Sequence, residues 1–335
     1  MWSNACRIIL HHRSPSPQLD EQLASTGQPY RLQQAQNGVM IVPYHMKIRI
    51  YPIFAAVALL FSACVSTQPD SRTKGETQAD PRSRAYTFGG FPAGGDALLL
   101  LNRGYAVGYS EDLLNPLWAA YYCGPDKLYE NGKRPGTFSS DARLDSAVRL
   151  THRDYNRPLG LGFTYDRGHM APNYAIATRY GREAQLETFL LTNICPQRSS
   201  LNQQTWRALE ALIANVYAPR FDGVWVIVGP LFGEDPSLYN GKVAIPEAFY
   251  CIVVDKTESG DFRALALIMN QNVSGKRKLA DFVTTIRSIE RKTGLDFFSA
   301  MPDAIEEKME NSTPEREWQI QILLDANSPA LAGAE

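Results

Sequence analysis

YDRGHMAP (Tyr165 to Pro172), followed by LTNICPQRSSLNQQTWRALE (Leu191 to Glu210), is where reactive residue types crowd together in an otherwise ordinary globular chain. From within the second stretch, Gln203 to Val216 carries Trp206, Leu209, Ile213 and Val216 at helical spacing, so Asn202 falls at the start of a helix and Glu210 two turns along it. A regular α-helix puts residues eight apart about 80° from each other, on adjoining parts of one face. Working outward, strands are expected at Tyr105 to Tyr109, Leu117 to Tyr122, Thr188 to Thr192, Val224 to Val228, Phe249 to Val254 and Phe262 to Met269. A second helix is expected from Lys278 to Lys292, stopping at Gly294. Strands dominate and helices do not alternate with them, so the expected class is α+β.

Taken singly, these polar residues have ordinary readings: His169 a core histidine, Asn202 an N-cap, Glu210 a solvated helix position and Arg167 a surface charge. Taken together they supply what phosphodiester hydrolysis needs. Water is a poor nucleophile at neutral pH, and a histidine is suited to taking its proton. Mg2+ prefers oxygen ligands and keeps several waters, so the amide oxygen of Asn202 with a nearby Glu210 carboxylate can hold it, with Mn2+ as a substitute. Arg167 offers a fork of donors to phosphate.

These stretches resemble the DNA/RNA non-specific endonucleases, which include endonuclease G. The resemblance extends to Asn115-Pro116-Leu117-Trp118, to Arg134 through Arg143, to Asp154-Tyr155, and to Thr293 through Phe298. It implies a central antiparallel sheet flanked by helices, with a ββα-metal finger in which the histidine ends a strand and the asparagine lies on the following helix. It further implies His169 as general base, Asn202 as direct Mg2+ ligand, Glu210 as the orienter of metal-bound water, Arg167 at the phosphate, and Asp166 and Asn193 in support. Arg134 is the best match to an upstream arginine that contacts substrate. An arginine that some members carry one turn after the glutamate is replaced by Ala214. Dimers occur in the family, so a homodimer is a further expectation.

The net charge of -1 gives no global attraction to polyanions. Between Lys133 and Arg220, however, twelve Lys and Arg stand against seven Asp and Glu, a local excess around the motifs. Without evident base-reading elements, DNA and RNA are expected to be bound through the backbone with little sequence preference. A zinc hydrolase is disfavoured because the chain after Cys64 holds only two histidines, His152 and His169. Two rivals remain: a hydrolase using Cys195 with His169, and a lipoprotein that binds nucleic acid on a nuclease scaffold without cutting it. A disulfide among Cys123, Cys195 and Cys251 is left open.

Met46-Lys47-Ile48-Arg49, the apolar run Ile50 to Phe61, and Ser62-Ala63-Cys64 read as a signal peptide ending in a lipobox. The expected organisation is an upstream extension at 1–45, the signal peptide at 46–63, a lipidated Cys64 with a polar tether to 85, the nuclease domain at 86–325, and a tail at 326–335. Cys64 would anchor the chain to a membrane. Val65 is not the aspartate associated with inner-membrane retention, so an exported, outer-membrane lipoprotein, periplasmic or at the cell surface, is the expected destination.

Overall fold

The computed structural model describes residues 86–156, 164–312, 314 and 316–328. The upstream extension, the signal peptide, Cys64 and the tether lie outside the described residues.

A seven-stranded, wholly antiparallel sheet forms the centre. Its strands are β1 (Leu98–Asn102), β2 (Tyr105–Ser110), β3 (Asn115–Cys123), β6 (Val224–Leu231), β7 (Ala248–Lys256), β8 (Phe262–Asn270) and the short β9 (Val283–Thr284), in that spatial order. Strands β4 (Tyr165–His169) and β5 (Ile194–Arg198) form a separate antiparallel ribbon in which His169 pairs with Ile194 and Asp166 with Gln197.

The sheet is covered on both faces, which is why β7 reads AFYCIVVDK with hardly a polar break. Successive side chains point to opposite faces of a strand. Val226, Cys251, Val253 and Leu265 therefore join one core, while Ile227, Ile252, Val254 and Ala266 join another. On the first face lie α1 (Asn173–Glu187), through Ala175 and Ile176, and the helix spanning 201–217, labelled α2, through Leu209, Leu212 and Tyr217. On the second lie α3 (Ile286–Thr293) and α4 (Asp303–Glu310), through Ile286, Ile289 and Met309.

Three sequence expectations need correction. Thr188 to Thr192 is not a strand: Thr188 caps α1, its hydroxyl donating to the Gln185 carbonyl at 2.7 Å, and Leu191–Asn193 forms a 3-10 turn. Its apolar residues are buried by packing of the turn, not by a sheet. The helix expected from Lys278 begins only at Ile286, because Leu279–Phe282 is a 3-10 turn and the β-branched Val283-Thr284 pairs with β8. Thr285 then caps α3, accepting from the Ser288 amide at 3.2 Å, and Gly294 (φ 70°) ends it where expected. Helix α1 is absent from the sequence expectations, since Ala, Tyr and a glycine obscure its apolar period. Cys123, Cys195 and Cys251, the cysteines among the described residues, are buried and free.

Candidate active site

His169 is the last residue of β4, and Asn202 lies in the first turn of α2, which begins three residues after β5 ends. The ribbon and helix together make a ββα unit. Asn193 holds its open end. The Asn193 amide nitrogen donates to the carbonyls of Ala171 at 3.0 Å and Thr188 at 2.9 Å, and its oxygen accepts from the Ala171 amide at 2.9 Å. These bonds fix the chain leaving His169 against the end of α1 and the start of β5. Gly168 is required by close approach: a side chain there would meet Gln197 Oε1 at 2.4 Å.

Asp166 organises the other side. One carboxylate oxygen accepts from the Ser199 hydroxyl at 2.7 Å, and the other accepts from the side-chain amides of Asn202 at 2.8 Å and Gln203 at 2.9 Å. Because the nitrogen of Asn202 is engaged, the orientation of its amide is set and its oxygen is left for a different donor or a cation. Helix α2 opens with i→i+5 turns over Leu201–Trp206, continues as α-helix over Arg207–Leu212 and widens again over Ile213–Tyr217. Wider turns advance fewer degrees per residue, which brings Asn202 and Glu210 nearer one line than the 80° expected of a regular helix.

The His169 ring is wedged between Phe138 (centroids 5.4 Å apart) and Phe189 (4.8 Å, edge-on). Its Nε2 is buried and makes no hydrogen bond. Burial, with the nearby Arg134 charge, lowers its pKa to about 3, so the ring is neutral at physiological pH. Exposed Arg134 lies over the outer region of the same aromatic pair, its guanidinium 5.1 Å from the Phe189 centroid. Arg167 is held between Phe138 (5.2 Å) and Tyr155 (5.9 Å), and its Nη2 faces the Tyr155 carbonyl at 3.5 Å. Tyr155 is itself fixed by its hydroxyl, which donates to the Ile194 carbonyl at 3.0 Å. Partly buried Glu210 has its carboxyl pushed up to about 8 by burial, opposed by the charges of Arg134 and Arg207.

The structure thus joins Asp166 to Asn202 by a hydrogen bond, and the charge of Arg134 acts on both His169 and Glu210. Arg134 lies against Phe189, the ring that also packs on His169. Phe138 and Phe189, which shape the histidine pocket, carry no polar signal by which sequence reasoning could find them. Ala214 offers its carbonyl to the buried Arg179, which donates to it at 2.5 Å, so that turn of α2 is tied to α1 rather than carrying a cation itself. Cys195 is buried, and burial raises its thiol pKa well above the ordinary value, which removes it as a nucleophile. Among the described residues, the one group of His, Cys, Asp or Glu close enough to share a metal is Glu290, Asp296 and Glu310, which includes neither histidine.

A family model described as DNA/RNA non-specific endonuclease matches residues 84–304. The chain belongs to this family. It is 32% identical to human mitochondrial endonuclease G over 216 residues, covering 61% of the chain and 70% of that protein. It is 27% identical to mouse mitochondrial nuclease EXOG over 231 residues (62% and 59%) and 28% identical to the mitochondrial nuclease of Saccharomyces cerevisiae over 216 residues (58% and 63%). It therefore spans about three fifths of the length of the latter two. A solved structure of an EndoG/EndoGI complex shares the fold, with a TM-score of 0.56 at 24% identity, covering 65% of this chain and 91% of that one.

Proposed function

We propose that the chain is a metal-dependent, sequence-non-specific endonuclease that hydrolyses phosphodiester bonds of DNA and RNA. The observation that carries this is the buried, unpartnered Nε2 of a neutral His169, on the same ββα unit as an asparagine whose amide is oriented by Asp166.

In this reading His169 Nε2 takes the proton of a water whose oxygen bonds to phosphorus as the P–O bond to the leaving sugar oxygen breaks. Its low basicity in the free site rises when a phosphate anion lies beside it, because a negative neighbour favours the imidazolium. Arg167 and Arg134 hold the phosphate oxygens, with Arg167 pre-set by the two rings that flank it. The residues fit a hard cation: Asn202 presents an amide oxygen, and Glu210 is a carboxylate whose burial leaves its charge in want of compensation. Bound there, Mg2+ would neutralise charge on the phosphate and leaving oxygen. Arg167 and Arg134 would meet backbone phosphate rather than base edges, so sequence is read poorly. Export and lipid attachment at Cys64 belong to the same proposal on sequence grounds, and homodimer formation on the family resemblance alone.

The test is to purify the full chain in detergent and incubate it with supercoiled plasmid and with RNA, adding Mg2+ or EDTA. The expected outcome is cleavage of both substrates only with the metal, and a loss of at least about a hundredfold in rate for a folded His169→Ala protein. A folded wild type that binds nucleic acid but cuts under no divalent metal would overturn the catalytic reading in favour of a binding protein on this scaffold.

A further inference from the structure

The loop between β3 and the site, GPDKLYENGKRPG (Gly124 to Gly136), carries Arg134 near its end and, among the described residues, the two most exposed large apolar side chains: Leu128, 64% exposed, and Tyr129, 53% exposed. Such a pair on a solvent-facing loop is unusual unless something covers it. The loop is not loosely attached. Its backbone is fastened along α1 by Leu128 and Tyr129, whose amides both donate to the Thr178 carbonyl at 2.8 and 3.0 Å, and by Gly132, whose carbonyl accepts from Gln185 at 3.2 Å.

The attachment depends on a break in the helix. Gly181 has φ 85° and ψ -171°, a conformation essentially confined to glycine, and it interrupts α1 just after Thr178. The interruption leaves the Thr178 carbonyl to the loop. At the break the Tyr129 ring packs over Gly181: a Cβ at position 181 would lie 3.4 Å from the ring, an ordinary van der Waals contact, so it is the backbone conformation that calls for glycine. Tyr129 therefore rests against bare backbone, supported on one side while half its surface faces solvent. Five residues further on is Arg134, within about 17 Å by the reach of an extended chain. Exposed Lys133 lies beside it, and Arg182 of α1 joins them by donating to the Lys133 carbonyl at 2.6 Å. Asp126 and Glu130 temper the loop's charge, but the end nearest the site is cationic.

We propose that this loop is a binding arm for an unpaired nucleic-acid strand leading into the active site, with Tyr129 as the platform on which a base stacks and Lys133 and Arg182 beside its phosphates. The inference rests on the nuclease reading and adds a preference to it. Every base has a π-face, so stacking on an exposed tyrosine is sequence-tolerant but requires a base free of its duplex partner. The arm therefore favours single strands without conferring sequence specificity.

The experiment compares wild type, Tyr129→Ala and Tyr129→Phe, each as the full chain, on a fluorescein-labelled single strand of about 15 nucleotides, near the upper site size for such surfaces, and on the corresponding duplex. With Mg2+ present, Tyr129→Ala is expected to raise KM for the single strand at least about fivefold, the low end for losing one base–aromatic stack. KM for the duplex and kcat for either substrate change less than about twofold, and Tyr129→Phe behaves as wild type because it keeps the ring. Equal KM values for wild type and Tyr129→Ala on the single strand, or equal losses on strand and duplex, overturn the proposal. Fluorescence anisotropy in EDTA separates it from the nuclease reading. If wild type cuts nothing, that reading fails, yet weaker binding of the single strand by Tyr129→Ala still supports the arm, and unchanged binding defeats it.

Discussion

Asp166 fixes which atom of the Asn202 amide is left free to face a cation. An amide side chain is nearly symmetrical in shape, and nothing in its packing distinguishes oxygen from nitrogen; only the hydrogen bond from Asn202 to Asp166 does so. Partners of this kind typically contribute about 10- to 100-fold to metal affinity. Replacing Asp166→Ala is accordingly expected to raise the Mg2+ concentration for half-maximal cleavage by about that factor, with the rate at saturating Mg2+ reduced much less. Asp166→Asn, which keeps an accepting oxygen, should fall between. A Mg2+ titration of plasmid cleavage measures this, and an unchanged half-maximal concentration in Asp166→Ala would show that Asp166 has no part in orienting Asn202. His169, Asn202 and Glu210 stand out in the sequence as candidates because few chemistries ask for those types in that order. The pocket walls are not, since Phe138 and Phe189 look like any buried aromatic until the fold brings them against His169.

At the level of elements, the ββα unit depends on the β4–β5 ribbon keeping its close approach at Gly168. Gln197 is fully buried and its side chain occupies the space a Cβ at 168 would need. Gly168→Ala is expected to destabilise the protein by about 1–3 kcal/mol, the usual range for overpacking a filled interior. Urea unfolding would register it as a lower midpoint at unchanged slope, and cleavage should fall as well because His169 is the next residue. A midpoint equal to wild type would mean that Gln197 has room to move. Elements with a strong apolar period, such as β7 and the middle of α2, are readable from sequence. Those decided by competition are not: Val283-Thr284 takes the edge of the sheet over helix, and α1 tolerates Gly181 because the loop at 128–129 takes up the carbonyl that the break sets free. The widened turns of α2 likewise leave no trace in residue spacing.

For the molecule as a whole, the site makes stability depend on pH in two opposed ways. Glu210 has a folded pKa of about 8 against an ordinary value of 4.5, so its protonated form favours the fold below about pH 4.5, and that contribution is lost as pH rises to 8. His169 has a folded pKa of about 3 against 6.5, so its contribution is present above pH 6.5 and is lost as pH falls toward 3. In EDTA, wild-type Tm should decline from about pH 5 to pH 8 relative to Glu210→Gln, which cannot lose a proton there. A cation bound between Asn202 and Glu210 demands the charged carboxylate and competes with its proton. The rise in Tm on adding Mg2+ should therefore be larger at about pH 8 than at about pH 6, and should shrink at both in Glu210→Gln. Thermal melts at the two pH values, with and without Mg2+, decide the matter. A Mg2+ shift of equal size at both pH values, undiminished in Glu210→Gln, would mean that the metal binds elsewhere and that burial of Glu210 serves the fold alone.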